Sequence, residues 1–363
     1  MYPRTNYTLY LKNFLEIKDD GSNLSSIQGK SRDFITNPIL STLIKTYNPE
    51  LLKNKVVLSG SGNIDMAYAR LLGHSINCLK GELEANPNYK KEIKRKLLNS
   101  KFGSFYTAYA ELFVGGYLKN IGYKVEFNSS KEEGLSDIIS VKDKETLSNE
   151  VKTYPDREAW LEDTLTPLMP SFWKILNSVS NVYLFVFATK MHGFRNGIIK
   201  SIEEYFKTRK DVKNDFCWIT NVGNIYGEDE GILIASPKRN AQIRFKVSFD
   251  AYHDTKSLFE KSVKQNKFSR VKGITWMLFP HPKPISLERK VLWYDSSILS
   301  EMKNNGIGVV LFEVFPTISE DFTKWEIQSG ANFLLTPEHE SLINSKSFND
   351  YIDFLISKST LLT

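Results

Sequence analysis

The chain is predicted to be an α/β protein with three regions: mostly helical over residues 1–101, mixed α/β over 102–230 and β-rich over 231–363. Three observations predict this. Apolar residues recur at three-to-four spacing through the first hundred positions. A long proline-free apolar pattern at 105–118 runs directly into alternating, strand-like segments. After about residue 231, short β-branched and aromatic runs dominate. At 363 residues, 41% of them hydrophobic, the chain exceeds one ordinary domain and holds enough apolar material for a sizeable core.

In chain order, Pro38–Ile44 and Met66–Leu72 carry helical spacing. Between them, Val56-Val57-Leu58-Ser59-Gly60-Ser61-Gly62-Asn63-Ile64-Asp65 resembles a phosphate loop, but Asp65 stands where the dinucleotide fingerprint needs a third glycine or alanine. A turn leading into a helix is expected instead. Tyr89–Lys96 reads as a solvated basic helix face. Phe105–Leu118 is expected to be a largely buried helix, closed by Gly122. Tyr123–Phe127 alternates as a strand. Helical spacing follows from Arg157 to Leu176, and Asn181–Ala188 is the strongest strand in the chain, apolar enough to lie at the centre of a sheet. Ile198–Phe206 reads as a helix. Phe216–Thr220, Ile243–Phe249, Ile274–Phe279, Val291–Tyr294 and Val309–Phe315 read as strands, and a helix near Phe348–Ile356 closes the chain.

No apolar run approaches the ~18–20 residues that span a bilayer, and the N-terminus lacks a basic-then-apolar leader, so a cytoplasmic protein is expected. Cys78 and Cys217 have no CxxC partner and are expected to be reduced thiols rather than zinc ligands. His192 and His253 are expected to be surface or satisfied core residues. A net charge of +6 fits a nucleic-acid partner without requiring one.

The chemistry concentrates in Gly134-Leu135-Ser136-Asp137-Ile138-Ile139 and Asn149-Glu150-Val151-Lys152-Thr153, two strands joined by the polar turn Lys142-Asp143-Lys144-Glu145. Side chains alternate along a strand, so Glu150 and Lys152 point one way and Val151 the other. Two carboxylates beside a lysine suit a divalent cation and phosphodiester hydrolysis. Glu111, among Ala108, Leu112 and Phe113 in the preceding helix, is a carboxylate in apolar surroundings that needs a cation or donor.

These residues resemble the signature of the restriction-endonuclease-like, or PD-(D/E)XK, nucleases: an Asp at the second strand and Glu-x-Lys on the third, within a core of helix, three strands, helix, strand. The resemblance covers about residues 102–190 and implies catalytic roles for Asp137, Glu150, Lys152 and Glu111. It also implies Mg²⁺ or Mn²⁺ held by Asp137, Glu150 and the main-chain carbonyl of Val151, with Lys152 beside the attacking water and the scissile phosphate. Ser136 replaces the usual proline, and the Gln-x-x-x-Tyr motif of the exonuclease branch is absent after Lys152, which favours an endonuclease. Alanine at Asp137, Glu150 or Lys152 is expected to remove cleavage and leave folding largely intact.

By analogy with the family, the substrate is double-stranded DNA, the setting is a restriction or anti-phage system, and the protein is a homodimer. An RNA, branched-DNA or single-strand nuclease and a non-catalytic nucleic-acid binder on the same fold remain alternatives. Lys256, Lys261, Lys264, Lys267, Arg270 and Lys272, interleaved with Phe259 and Phe268, form the leading candidate for phosphate contacts, and Lys90–Lys101 is a second.

Overall fold

The computed structural model describes residues 6–18, 22–23, 34–35, 57–58, 62–98, 102–128, 135–153, 183–188, 216–221, 231–235, 242–247, 260–264, 272–279, 296–318 and 325–360, with single helical positions at 43 and 174. The expected elements at 38–44, 157–176, 198–206 and 291–294, and the histidines at 192 and 253, lie outside or almost wholly outside the described residues. The chain forms two compact units, one made of residues 1–155 and 252–363, the other of 156–251. These units divide the chain at 155/156 and 251/252, not near 101 and 231 where the sequence pattern changes.

The first unit is mixed α/β. Its helices are α1 (Asn6–Phe14), α2 (Gly62–Cys78), α3 (Lys80–Ala85), α4 (Pro87–Leu97), α5 (Phe102–Asn120), α6 (Ser296–Asn304), α7 (Pro337–Glu340) and α8 (Ser345–Thr360). A two-stranded parallel pair, β1 (Phe34–Ile35) and β2 (Val57–Leu58), precedes α2. The main sheet comprises β3 (Lys124–Phe127), β4 (Ile138–Lys142), β5 (Glu145–Thr153), β10 (Lys272–Leu278), β11 (Ile307–Ile318) and β12 (Trp325–Leu334), side by side in that spatial order. β3, β4 and β5 form an antiparallel meander. β10 then adds in parallel to β5, β11 in parallel to β10, and β12 closes the sheet antiparallel to β11. The β4–β5 hairpin turns on Asp143 and Lys144, and Asp143 takes φ +54°, a conformation that a short polar residue tolerates at a tight turn.

The second unit holds β6 (Tyr183–Ala188), β7 (Phe216–Asn221), β8 (Gly231–Ala235) and β9 (Gln242–Val247) in the order β7-β6-β9-β8. β6 pairs in parallel with both β7 and β9, and β8 is antiparallel to β9. Of the run at 181–188, the described part, Tyr183–Ala188, is an inner strand, as its composition predicted, but of a separate sheet. The strand beside Glu150 and Lys152 is β10, with Thr275 opposite Glu150 and Met277 opposite Lys152. Ile274–Phe279 and Tyr183–Ala188 are both uncharged and largely apolar, and tertiary pairing distinguishes them.

α5 is apolar on nearly every side because it is covered on nearly every side. Phe105, Tyr106 and Tyr109 pack on Tyr68 of α2 at ring separations of 5.7, 6.2 and 5.5 Å. Tyr109 Oη donates to the Val314 carbonyl of β11 at 3.1 Å, Phe113 stacks on Phe312 at 5.5 Å, and Tyr117 meets Trp276 edge-on at 5.6 Å. α5 thus lies on the face of the sheet that carries Trp276 and Val151. The opposite face of β10 is covered at 260–264, where Ser262 and Val263 are buried and the Ser262 hydroxyl bonds Thr275. α8 packs against α5 through Phe348 and Tyr351. Within the sheet, the Trp276 indole donates to Asn149 Oδ1 at 3.0 Å and Asn149 Nδ2 donates to Ser140 Oγ at 3.0 Å, so the buried polar groups of β4, β5 and β10 satisfy one another.

α5 reaches β3 through Gly115. A β-carbon there would fall 2.6 Å from the Phe127 ring, which stacks on Tyr89 at 4.4 Å. Gly115→Ala gains about 1 kcal/mol of helix propensity but overpacks a buried aromatic pair, at a cost of about 1–3 kcal/mol. A net loss of stability is expected, seen as a lower urea midpoint at unchanged m-value.

Candidate active site

Asp137 stands one residue before β4, and its Oδ2 accepts the main-chain N–H of Val151 at 2.7 Å. That bond places the carboxylate beside β5, between Glu150 and Lys152. The main-chain atoms around it are fixed by Asn128, whose N–H donates to the Asp137 carbonyl at 2.9 Å and whose Nδ2 donates to the Ser136 carbonyl at 2.7 Å. Glu150 is 0% exposed, and its Oε1 is ion-paired with the Lys152 ammonium, which remains 18% exposed. Its other oxygen, Oε2, is buried without a donor. The strand alternation is as the spacing predicted. The carboxylate is buried rather than displayed on a surface, and only Lys152 keeps part of its side chain in solvent.

Glu111 is buried at the centre of α5, and both its oxygens are engaged. Tyr89 Oη donates to Oε2 at 2.8 Å and the Lys96 ammonium donates to Oε1 at 2.8 Å. Both donors come from α4. Pro87 opens that helix, and Asn86 caps it by accepting from the Tyr89 N–H at 3.0 Å while donating to the Phe127 carbonyl at 2.6 Å. Tyr89, Ile93 and Leu97 form its buried stripe. Tyr89–Lys96, expected to be a solvated basic helix face, instead buries Tyr89 and Ile93 and turns Lys96 inward onto Glu111. The stripe was visible as helical spacing, but the inward turn of one lysine in a basic segment depends on a carboxylate fifteen residues away.

The electrostatics are those of crowded carboxylates. Burial raises Asp137 from 3.8 to about 7, the nearby Glu150 charge adds to the rise, and Lys152 opposes it. Burial likewise raises Glu111 to about 7, against Lys96 and with Asp137. Glu150 is also pushed up by burial, partly offset by Lys152, and a proton on Asp137 is able to bridge the two carboxylates. For Lys96, burial favours the neutral amine, but Glu111 and Glu92 outweigh it and the net shift is upward. Opposing charges and burial are the two forces that set such values.

An orphaned, fully buried carboxylate oxygen next to a second carboxylate with a raised pKa is a site short of positive charge, and hard oxygen donors suit Mg²⁺ or Mn²⁺. Asp137 and Glu150 therefore fit such an ion. Among the described residues no group of three or more His, Cys, Asp or Glu side chains forms a metal cage by itself. An ion here would need main-chain or solvent oxygens in addition to the two carboxylates.

The proposed phosphate-contact stretch is only partly described: Lys256, Lys267 and Arg270 lie outside the described residues. Lys261 and Lys264 are exposed. Lys272 pairs with Glu145 at 3.1 Å and sits in the row of Leu147, three residues, or about 10 Å, along the sheet from the row of Glu150. In the second stretch, Lys94 pairs with Glu16 and lies 5.5 Å from the centre of the Phe14 ring, while Lys91 and Arg95 are exposed. Cys78 is a free thiol within 3.5 Å of His74 Nε2. No helix of the described residues is long and apolar enough to cross a membrane.

Tyr89→Phe removes one of two donors from a buried carboxylate, a loss of about 1–3 kcal/mol at pH 8. At pH 5, where Glu111 is protonated, the expected difference between the two proteins shrinks. Denaturant melts at the two pH values check this. In comparisons with protein-family models, curated proteins and solved structures, none matches this chain.

Proposed function

We propose that the chain is a divalent-metal-dependent endonuclease that hydrolyses phosphodiester bonds, with double-stranded DNA as its substrate and Asp137, Glu150 and Lys152 as its reacting centre. The observation that carries this reading is the buried Glu150 Oε2, which no N–H, hydroxyl or ammonium group reaches, so that only a proton shared with Asp137 or a cation satisfies it. Retaining an unsatisfied buried carboxylate costs stability, and a cation-binding role accounts for it. The sheet supports the same reading: an antiparallel meander followed by a parallel fourth strand, with Asp137 at the second strand and Glu-Val-Lys on the third, has the order of a restriction-endonuclease-like core. In this arrangement the fourth strand is β10, and residues 156–251 are an insertion between the third and fourth strands.

In the mechanism, Asp137 and Glu150 would hold Mg²⁺ or Mn²⁺. The ion supplies Lewis acidity, making its water more acidic and offsetting charge on the phosphate oxygens. Asp137 is kept in place by the Val151 N–H. Lys152, fixed on Glu150 yet reachable from solvent, places a positive charge where a phosphate oxygen and the attacking hydroxide would gather negative charge. Glu111, held by Tyr89 and Lys96, acts on the centre through its charge near Asp137. A setting in restriction or anti-phage defence belongs to this proposal by family analogy alone.

The test is incubation of supercoiled plasmid, single-stranded DNA and RNA with the protein in Mg²⁺ or Mn²⁺. Nicked or linear plasmid is expected, and neither EDTA-treated protein nor Asp137→Asn should produce it. Cleavage that persists in EDTA counts against the scheme, as does a protein inert on all three substrates.

A further inference from the structure

We infer that β12 is a self-pairing edge: two copies of the chain align antiparallel along β12 and join their six-stranded sheets into one. The two outer strands of the described sheet differ. β3 is four residues long and carries the exposed charges Lys124 and Glu126, which discourage pairing with another strand. β12 is ten residues long, Trp-Glu-Ile-Gln-Ser-Gly-Ala-Asn-Phe-Leu, with one charged residue and neither proline nor lysine. Among the described residues it has a neighbour, β11, on one side only. Val309, Val310, Leu311 and Phe312 of β11 are buried, whereas Leu334, Phe333, Asn332 and Ala331 opposite them keep part of their surface in solvent. Two of the four exposed large apolar side chains, Leu334 and Ile356, lie on β12 and on α8, which meets β12 where Phe348 packs on Phe333 at 5.9 Å. A long edge with so little charge is a template for another strand.

The other strand is a second β12 because this one is complementary to itself. Opposed side chains of an antiparallel ladder share a face, so the two-fold axis stands normal to the sheet and passes between two copies of one residue. The axis falls on Ser329 or on Gly330 when all but one of the ten residues overlap. Either placement brings the neutral Gln328–Ala331 stretches together, with no like charges opposed. The two Glu326 residues fall at opposite ends of the joint, about 20–27 Å apart at ~3.4 Å per residue. Asn332 Nδ2 is buried with no acceptor in the single chain. Opposite Asn332 the second copy presents Glu326 in the first placement and Gln328 in the second, and each carries a side-chain oxygen. Buried amide groups are seldom left without a partner, and main-chain bonds along the joint supply the affinity. With the axis normal to the sheet, both copies turn the face of Glu150 and Lys152 to the same side.

The experiment is sedimentation velocity of the full chain from about 1 to about 100 μM. Wild type is expected to reach twice the chain mass within that range. Ser329 is exposed, so Ser329→Lys and Ser329→Glu leave the single chain intact. Each sets like charges opposite or diagonal to one another across the joint and should weaken dimerisation on the order of tenfold or more. An equimolar mixture of the two should recover a dimer with one copy of each, a result out of reach of a misfolded variant. If neither charged variant folds, Ser329→Cys gives the reading, since oxidation is expected to link two chains through the joint. A wild-type monomer across the range overturns the inference, as does a dimer that both charges leave unchanged or a mixture that stays monomeric. For the cysteine variant, oxidation that links no more dimer than in wild type overturns it.

Discussion

Asp137→Asn is expected to reduce cleavage by on the order of 10³-fold or more while raising the melting temperature of the metal-free protein at pH 8. The two effects have one cause. The asparagine carbonyl still accepts the Val151 N–H that the carboxylate accepts at 2.7 Å, so the local fold is preserved. The negative charge beside Glu150 disappears, and with it the hard donor for a cation. Asp137 is raised from 3.8 to about 7 by burial and by Glu150. A folded-state value above the unfolded one means the folded protein holds its proton longer. The associated stability is fully present below about pH 4 and is lost as pH rises through about 7. At 1.4 kcal/mol per pH unit the full effect would be several kcal/mol, and the partial exposure of Asp137 reduces it to about 1–3 kcal/mol. Asparagine does not ionise, so the variant should melt a few degrees higher at pH 8 and coincide with wild type near pH 4. Thermal melts in EDTA at both pH values, alongside plasmid cleavage in Mg²⁺, decide the matter. Full cleavage by the variant, or a lower melting temperature at pH 8, contradicts the account.

Lys152→Ala is expected to be the more damaging change for the fold. From the sequence, alanine at Asp137, Glu150 or Lys152 is expected to leave folding largely intact. Glu150 is instead fully buried, and Lys152 is the cation on its Oε1. Removing that lysine leaves a buried carboxylate with neither oxygen neutralised, a loss of about 3–5 kcal/mol at pH 8 if the carboxylate stays ionised. Protonation of Glu150 relieves much of it, so the loss should diminish as pH falls. Mn²⁺ should restore stability to the alanine variant while cleavage stays down by on the order of 10²-fold or more, because the phosphate-side charge is gone. Chemical denaturation at pH 6 and pH 8, with and without Mn²⁺, separates the structural from the catalytic part. Equal stability of wild type and variant at pH 8 would remove the physical basis for treating Glu150 as a strained, cation-seeking group.

Much of this site was legible in the sequence because its signals are local. Period-two alternation marked β3, the polar turn at Asp143–Lys144 fixed the β4–β5 hairpin, and Glu-Val-Lys placed a carboxylate and an ammonium on one face. The apolar run of α5 and the glycine after it were equally readable. Gly122 takes φ +95° and its N–H bonds the Lys119 carbonyl at 3.0 Å, as a helix terminus requires. What the sequence hid is non-local. β10 reaches β5 across more than a hundred residues, and nothing in Ile274–Phe279 distinguishes it from the run at 183–188, which pairs elsewhere. The indole-to-Asn149 bond is a consequence of that pairing. Tyr89 and Lys96 were concealed for a related reason: helical spacing shows which side of α4 is apolar, not which polar side chain next to that stripe finds a buried acid.

The most direct measurement is the number of protons released when Mn²⁺ binds near pH 6.5, obtained by calorimetry in buffers of differing ionisation enthalpy. Asp137, with a metal-free value near 7, and Glu150, also raised, must give up their protons to coordinate a cation. The account predicts a clear release, approaching or exceeding half a proton per ion, that vanishes along with binding in Asp137→Asn. Tight binding with no proton release, or an identical titration for the asparagine variant, would show that the ion sits elsewhere and that these carboxylates are not its ligands.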